Sequence, residues 1–125
     1  MAVTTGLHAS VPLRVTDEDT AAHFRSGDVP VLATPRLVAL CEEAACRALA
    51  PKLSTGQTSV GLRVQLDHLA PSAVGSSVTA EATLEKMEGR RLTFTVKVTN
   101  NDSVVCAGFI TRVIVDRDAF IAKAR

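Results

Sequence analysis

The clearest predicted helix in the chain lies at residues 34–51, which read TPRLVALCEEAACRALAP. Thr34 is suited to cap the helix, and Pro35 fits the first helical position, where a missing N–H costs nothing. Pro51 ends the helix. The apolar residues that recur at helical spacing are Leu37, Leu40, Cys41, Ala44, Ala45, Ala48 and Leu49. Their small side chains would let a sheet approach the helix backbone closely.

The chain beyond Gly56 changes to a two-residue period, which predicts β-strands. In the first of these strands, His68 falls on the apolar face and Gly61 falls on the opposite face. The other members of the apolar face are Val60, Leu62, Val64 and Leu66. Further strands are predicted at 78–85, 92–99 and 104–115, with turn-forming residues between them.

The elements on either side of this region are shorter. Residues 7–15 predict an edge strand or two short strand pieces, because they contain Pro12. Residues 16–24 and 116–124 each predict a short helix. Consecutive strands joined by short turns predict an antiparallel meander. One face of this sheet is apolar and must be buried against another element. The expected fold class is therefore α+β, a curved antiparallel sheet of about five strands wrapped around the central α-helix, which is the hotdog arrangement.

The bulk properties exclude several classes of protein. The 125 residues suit one domain spanning 1–125, and 46% hydrophobic with 22% charged residues is a globular balance. A net charge of +1, dispersed basic residues and only four aromatic residues argue against a nucleic-acid partner. No apolar run approaches the ~20 residues of a membrane-spanning helix. Residues 1–6 lack a secretory signal pattern, and the three cysteines lack metal-ligand spacing, so we expect a cytoplasmic protein with reduced thiols and no metal.

Three polar residues form a candidate site. His68 ends the strand face that we expect to meet the helix, Glu42 lies two turns into that helix, and Thr34 stands at its start. A hydroxyl, a carboxylate and an imidazole are the parts of a nucleophilic or general-base site, and the N–H groups of a helix start can polarise a carbonyl. Each residue also has a plain structural interpretation: Thr34 as a cap, Glu42 as solvated helix surface, and His68 as a hydrogen-bonded strand end.

Several motifs coincide with those of one enzyme family. The matching positions are Thr34, Glu42, RALAP at 47–51, Ser59, Gly61, His68, EGRRL at 88–92, Arg112 and Phe120. From about residue 28 to residue 125, the chain therefore resembles the fluoroacetyl-CoA thioesterase family of small homodimeric hotdog enzymes. The spacing from the threonine to the histidine matches that family without a gap.

The resemblance implies hydrolysis of an acyl-CoA thioester by Thr34, Glu42 and His68, with no cofactor beyond the CoA of the substrate. His68 would act as the base, and which of the other two attacks the carbonyl stays open. Gly61 would let the substrate approach the strand backbone, and Arg112 would either contact the CoA portion or hold the C-terminal structure. The family also implies a homodimer, in which the sheet continues from one subunit into the next.

The chain departs from the fluoroacetyl-specific pattern around its acyl pocket. Residues 28–33 contain no phenylalanine for a lid, Pro35 stands where that pattern has a glycine, and Glu43 stands where it has a tryptophan. We therefore expect a short- or medium-chain acyl group without selectivity for fluorine. Two other functions are considered. A non-catalytic acyl-CoA-binding module is one, and a hotdog enoyl-CoA hydratase is the other, although the side chains of Asp67 and His68 point to opposite faces.

Overall fold

A five-stranded antiparallel sheet with one long helix across it forms the core of the computed structural model, which describes residues 2–125 and leaves Met1 outside. The strands are β1 (His8–Arg14), β2 (Gln57–His68), β3 (Ser77–Glu88), β4 (Arg91–Asn100) and β5 (Ser103–Asp116). The helices are α1 (Ala21–Phe24), α2 (Thr34–Leu49) and α3 (Arg117–Lys123), with 3₁₀ turns at Asp17–Asp19 and Ala50–Lys52. The predicted α+β class and its central helix are confirmed.

The strand order is β1-β3-β4-β5-β2, so only β3, β4 and β5 form a meander. The prediction that β2 also belongs to the meander is wrong, because β2 pairs with β5. The link from β2 to β3 spans residues 69–76, which is longer than a tight hairpin, and β1 occupies the other edge of β3. The edges of the sheet are therefore β2 and, as Pro12 predicts, β1.

The apolar side of α2 covers only part of the sheet. Every residue predicted for that side is buried, and the helix packs mainly against β1 and β3. The sheet side of this core includes Val78, Ala80, Ala82, Leu84, Leu92, Phe94, Val96 and Val98. Because α2 reaches less far over β2, Val64 on that strand remains 40% exposed.

A β-bulge at Leu62 interrupts the pairing of β2 with β5. Gly61 lies opposite Arg112 and Arg63 lies opposite Thr111, so β2 carries one extra residue across this step. A single extra residue shifts the alternation of side chains by one position. The uninterrupted alternation predicted for β2 is therefore wrong.

The bulge decides which residues of β2 face the helix. Beyond it, the prediction holds, because His68 lies opposite the buried Cys106. Before it, the faces are exchanged, and Gly61 points toward α2: a Cβ built there would lie 2.6 Å from Oε2 of Glu42. As a result, Gly61 and His68 share the helix-facing side of β2.

Asp19 fixes the segment that precedes α2. The region predicted as one short helix is a 3₁₀ turn followed by α1. The Asp19 carboxylate accepts hydrogen bonds from the backbone N–H of Thr16 (2.8 Å) and from Nε of Arg36 on α2 (3.0 Å). Burial opposes the charged form of Asp19, but the hydrogen bonds from Thr16 and Arg36 outweigh burial and lower the pKa of its carboxyl. The ion pair thereby holds the segment before Thr34 against the helix.

The cysteines of the described chain form no disulfide; Cys41 and Cys106 are buried, and Cys46 is half-buried. A hydrogen bond between Cys41 and Cys106, together with burial, raises the pKa of the Cys41 thiol. The same hydrogen bond lowers the pKa of Cys106. The expectation of reduced thiols is consistent with this arrangement. No helix among residues 2–125 is long and apolar enough to cross a bilayer.

Gly108 lies where β5 meets β2, and a Cβ built there would collide with the backbone carbonyl of Gln65. We predict that Gly108→Ala lowers the free energy of unfolding by about 3 kcal/mol, because the backbone of β2 cannot move without breaking the ladder. Urea denaturation measures the change. Gly27→Ala is the control, since a Cβ there makes an ordinary 3.5 Å contact with Ala21. Equal unfolding midpoints for the two variants would contradict the claim that residue 108 must be glycine.

Candidate active site

The hydroxyl of Thr34 and the imidazole of His68 lie in hydrogen-bond contact, with Oγ1 and Nδ1 2.7 Å apart. The N-cap of α2 is Ala33, whose backbone is extended, and Thr34 is the first helical residue. The predicted capping role of Thr34 is therefore wrong, because no side chain caps this helix. Its hydroxyl is available to the imidazole instead.

The other ring nitrogen of His68, Nε2, is buried and has no hydrogen-bond partner among residues 2–125. When Nδ1 accepts the proton of the Thr34 hydroxyl, the neutral ring carries its own proton on Nε2. A buried N–H without an acceptor is costly, and residues 2–125 supply no acceptor to this atom. Thr34 and His68 thus place a hydroxyl beside a base. The ring nitrogen of His68 that faces away from Thr34 has no hydrogen-bond partner within residues 2–125.

A second cluster is built around Arg112, which is only 6% exposed. Its Nη1 donates to Oε2 of Glu42, its Nε donates to Oγ of Ser59, and its Nη2 donates to the backbone carbonyl of Ser59, each at 2.9 Å. Gly61 completes the cluster, because any side chain at that position would displace the Glu42 carboxylate. We refer to Arg112, Glu42, Ser59 and Gly61 as the Arg112 cluster.

The Glu42 carboxylate is held but not enclosed. Its side chain is 32% exposed, although its partner Arg112 is buried. Only Oε2 bonds to Arg112, and Oε1 has no hydrogen-bond partner within residues 2–125. That oxygen can accept a hydrogen bond from water or approach a carbonyl carbon.

In the structure, Thr34 contacts His68, and Glu42 lies beside Gly61 and Arg112. Within one chain these two groups of residues do not meet. Thr34 and Glu42 are eight residues apart on α2, which corresponds to about 12 Å along the helix axis. Within one chain, the candidate residues therefore form two separate groups. Within residues 2–125, no group of three or more His, Cys, Asp or Glu side chains could hold a metal ion.

Ser59 is the residue that the sequence analysis did not recognise as functional. It was noted only as part of a motif, yet it supplies two of the acceptors that hold Arg112. The available signal was its two-residue spacing from Gly61. That signal was obscured because the bulge at Leu62 places both residues on the face that strict alternation assigns to solvent.

Comparisons with known proteins agree with this architecture. Residues 15–118 match the sequence profile of a family described as fluoroacetyl-CoA-specific thioesterase (FlK). The fluoroacetyl-CoA thioesterase of Streptantibioticus cattleyicolor is 36% identical over 95 residues, which cover 76% of this chain and 68% of that protein.

Solved structures give the same result for the fold. A variant of fluoroacetyl-CoA thioesterase in complex with acetyl-CoA matches with a TM-score of 0.93 at 29% identity, covering 98% of this chain and 97% of that one. A Thermus thermophilus member of the thioesterase superfamily matches with a TM-score of 0.90 at 31% identity, covering 98% and 90%. The predicted hotdog fold is confirmed. Since the family profile spans most of the sequence, the chain belongs to the fluoroacetyl-CoA-specific thioesterase family.

Proposed function

We propose that this chain is an acyl-CoA thioesterase that hydrolyses a short- or medium-chain acyl-CoA to the free acid and CoA. The observation that carries the proposal is the 2.7 Å contact between Oγ1 of Thr34 and Nδ1 of His68, because it sets a hydroxyl beside a base. Family membership supports the thioester substrate. The proposal includes no cofactor beyond the CoA of the substrate, and the free cysteines support a cytoplasmic location.

The proposed reaction has two steps. His68 takes the proton of the Thr34 hydroxyl as the oxygen attacks the carbonyl carbon, and the departing CoA sulfur receives that proton, which leaves an ester on Thr34. Unpaired N–H groups in the first turn of α2 support the carbonyl oxygen. Water then attacks the ester and gives a proton to Oε1 of Glu42. The bond between the acyl carbon and the Thr34 oxygen breaks as that oxygen receives this proton, which releases the acid and restores the Thr34 hydroxyl.

The segment before Thr34 supports an acyl pocket without an aromatic lid. Leu32 and Ala33 are buried beside the start of α2. Phe24 is 43% exposed, and its ring packs edge-on against His23, with the centroids 5.7 Å apart. Because no aromatic ring lies at this segment, we propose that the enzyme does not prefer fluoroacetyl-CoA over other short acyl-CoA substrates.

We predict that His68→Ala lowers kcat at least about 100-fold, since a general base contributes 10²–10⁴-fold. The assay measures free thiol released from acetyl-CoA, fluoroacetyl-CoA and longer acyl-CoAs. His23→Ala, at an exposed position, is expected to keep the wild-type rate. Full turnover by His68→Ala would refute the mechanism.

The same panel separates the alternative functions of the wild-type protein. Tight acyl-CoA binding without thiol release would favour the binding module. Loss of the crotonyl-CoA double bond without thiol release would favour the hydratase.

We also propose that a second copy of the chain completes the site. β2 is an unpaired sheet edge, and Val64 is 40% exposed although it lies opposite the buried Ile110. Exposed strand edges are normally covered or paired. A two-fold axis midway between Gly61 and His68 would pair β2 with its copy, and the Thr34–His68 half-site of one subunit would then meet the Arg112 cluster of its partner. The partner would also supply the acceptor that Nε2 of His68 lacks.

The dimer proposal predicts a mass near twice 13.2 kDa in light scattering. Val64→Lys is expected to give a monomer without thioesterase activity, because a buried unpaired ammonium would oppose the interface. Phe109→Lys is the control, since Phe109 is 49% exposed but lies on the outer face of the sheet. A monomeric wild type would contradict the proposal, and so would a dimer that Val64→Lys leaves intact. Circular dichroism confirms that both variants fold.

A further inference from the structure

A polar groove with a volume of about 470 Å³ opens between the end of α2 and the start of β2. Its walls include Ser54, Thr55, Gln57, Ser59 and Arg117, and no carboxylate lines it. We refer to it as the Arg117 groove. Apart from Ser59, none of its lining residues has a role in the function proposed above.

The inner end of this groove adjoins the Arg112 cluster through a shared residue. Ser59 lines the groove and also accepts the hydrogen bond from Nε of Arg112. At the outer end, the backbone N–H of Arg117 donates to the carbonyl of Gly56 at 2.9 Å. From Gly61 back to Gly56, β2 and the turn before it advance five residues, or roughly 17 Å. An extended phosphopantetheine arm can span that distance.

The charge at the outer end is available to a ligand. Among residues 2–125, no acidic side chain forms an ion pair with Arg117. Of its two acidic neighbours, Asp116 caps α3 by accepting from the N–H of Ala119 at 2.9 Å. Asp118 lines a different groove, together with Arg125.

The wall that faces Arg117 is held by its own hydrogen bonds. The N–H of Ser54 donates to Oε1 of Gln57 at 2.9 Å, and the N–H of Gln57 donates to the carbonyl of Ser54 at 3.0 Å. These two hydrogen bonds between Ser54 and Gln57 fix the turn that joins them. A ligand that enters the groove therefore meets a preformed surface.

We propose that the Arg117 groove binds the phosphate-bearing portion of CoA, with the pantetheine arm lying past Ser59 and the Arg117 guanidinium pairing with phosphate oxygens. This proposal rests on the proposed function, because it takes the Arg112 cluster as the position of the thioester. A guanidinium recognises phosphate through paired N–H donors, and the absence of carboxylates in the groove favours an anion. The distance along the chain from Gly61 to Gly56 and the positive charge of Arg117 both fit this ligand.

A second groove with basic side chains could also attract the phosphates of CoA, and it provides the control. Arg63, Lys86 and Arg91 line a cavity of about 310 Å³ that also contains Glu88. Lys86 already pairs with Glu88 at 3.5 Å. This cavity lies on the outer face of the sheet, away from Glu42, so a thioester held at the Arg112 cluster could not reach it.

The experiment compares Arg117→Ala, Arg117→Lys and Arg91→Ala with wild type on two thioesters of the same acyl group, one of CoA and one of N-acetylcysteamine, which carries no phosphate. We expect Arg117→Ala to raise the KM for the acyl-CoA about tenfold, with kcat and the KM for the truncated thioester unchanged. Arg117→Lys is expected to recover part of the loss, and Arg91→Ala to behave as wild type.

Calorimetric titration with desulfo-CoA keeps this test independent of turnover. Arg117→Ala is expected to weaken binding by the same factor, even if the wild-type enzyme hydrolyses neither thioester. Equal losses on both thioesters would assign Arg117 a structural role and overturn the proposal. It would also be overturned by unchanged desulfo-CoA affinity in Arg117→Ala, or by the loss appearing in Arg91→Ala instead.

Discussion

The buried guanidinium of Arg112 is the constraint around which this site is arranged. A charge at that depth is tolerated only when it is paired and hydrogen-bonded. Arg112 meets this condition with two bonds to Ser59 and one to Glu42, which connect α2 to β2 and β5. The arrangement requires that residue 61 be glycine and that the bulge at Leu62 turn it toward the helix. One carboxylate is thereby fixed on the helix with one oxygen still free.

The geometry of α2 then separates the groups that the proposed chemistry must combine. Thr34 and Glu42 lie about 12 Å apart along one rigid helix, so no side-chain movement brings both to the same carbonyl. Three features of the chain indicate the same missing surface: the unpaired edge of β2, the exposed Val64 on an inward-facing position, and the unpartnered Nε2 of His68. In the proposed dimer, a second copy across a two-fold axis would pair that edge, cover Val64 and meet Nε2, which is why we propose that each site lies between subunits.

Much of the fold was accessible from the sequence, because the long helix and the strands follow simple periodicities. That Thr34 and His68 would lie in one site was expected from the family resemblance, because local patterns placed them only at a helix start and at a strand end. The bulge at Leu62 was not foreseen, because a strict two-residue period assumes that no residue is inserted. The pairing of β2 with β5 and the role of Ser59 were missed for a related reason: both depend on contacts between segments far apart in the chain, which local patterns do not encode.

The most direct test of the shared site is subunit exchange between two inactive variants, His68→Ala and Glu42→Gln. If each site takes its imidazole from one subunit and its carboxylate from the other, every mixed dimer contains one site with both mutations and one intact site. Random exchange then restores about a quarter of the wild-type thioesterase activity. If each site belongs to one chain, every site in the mixture stays defective, and activity no higher than that of the parent variants would contradict the account.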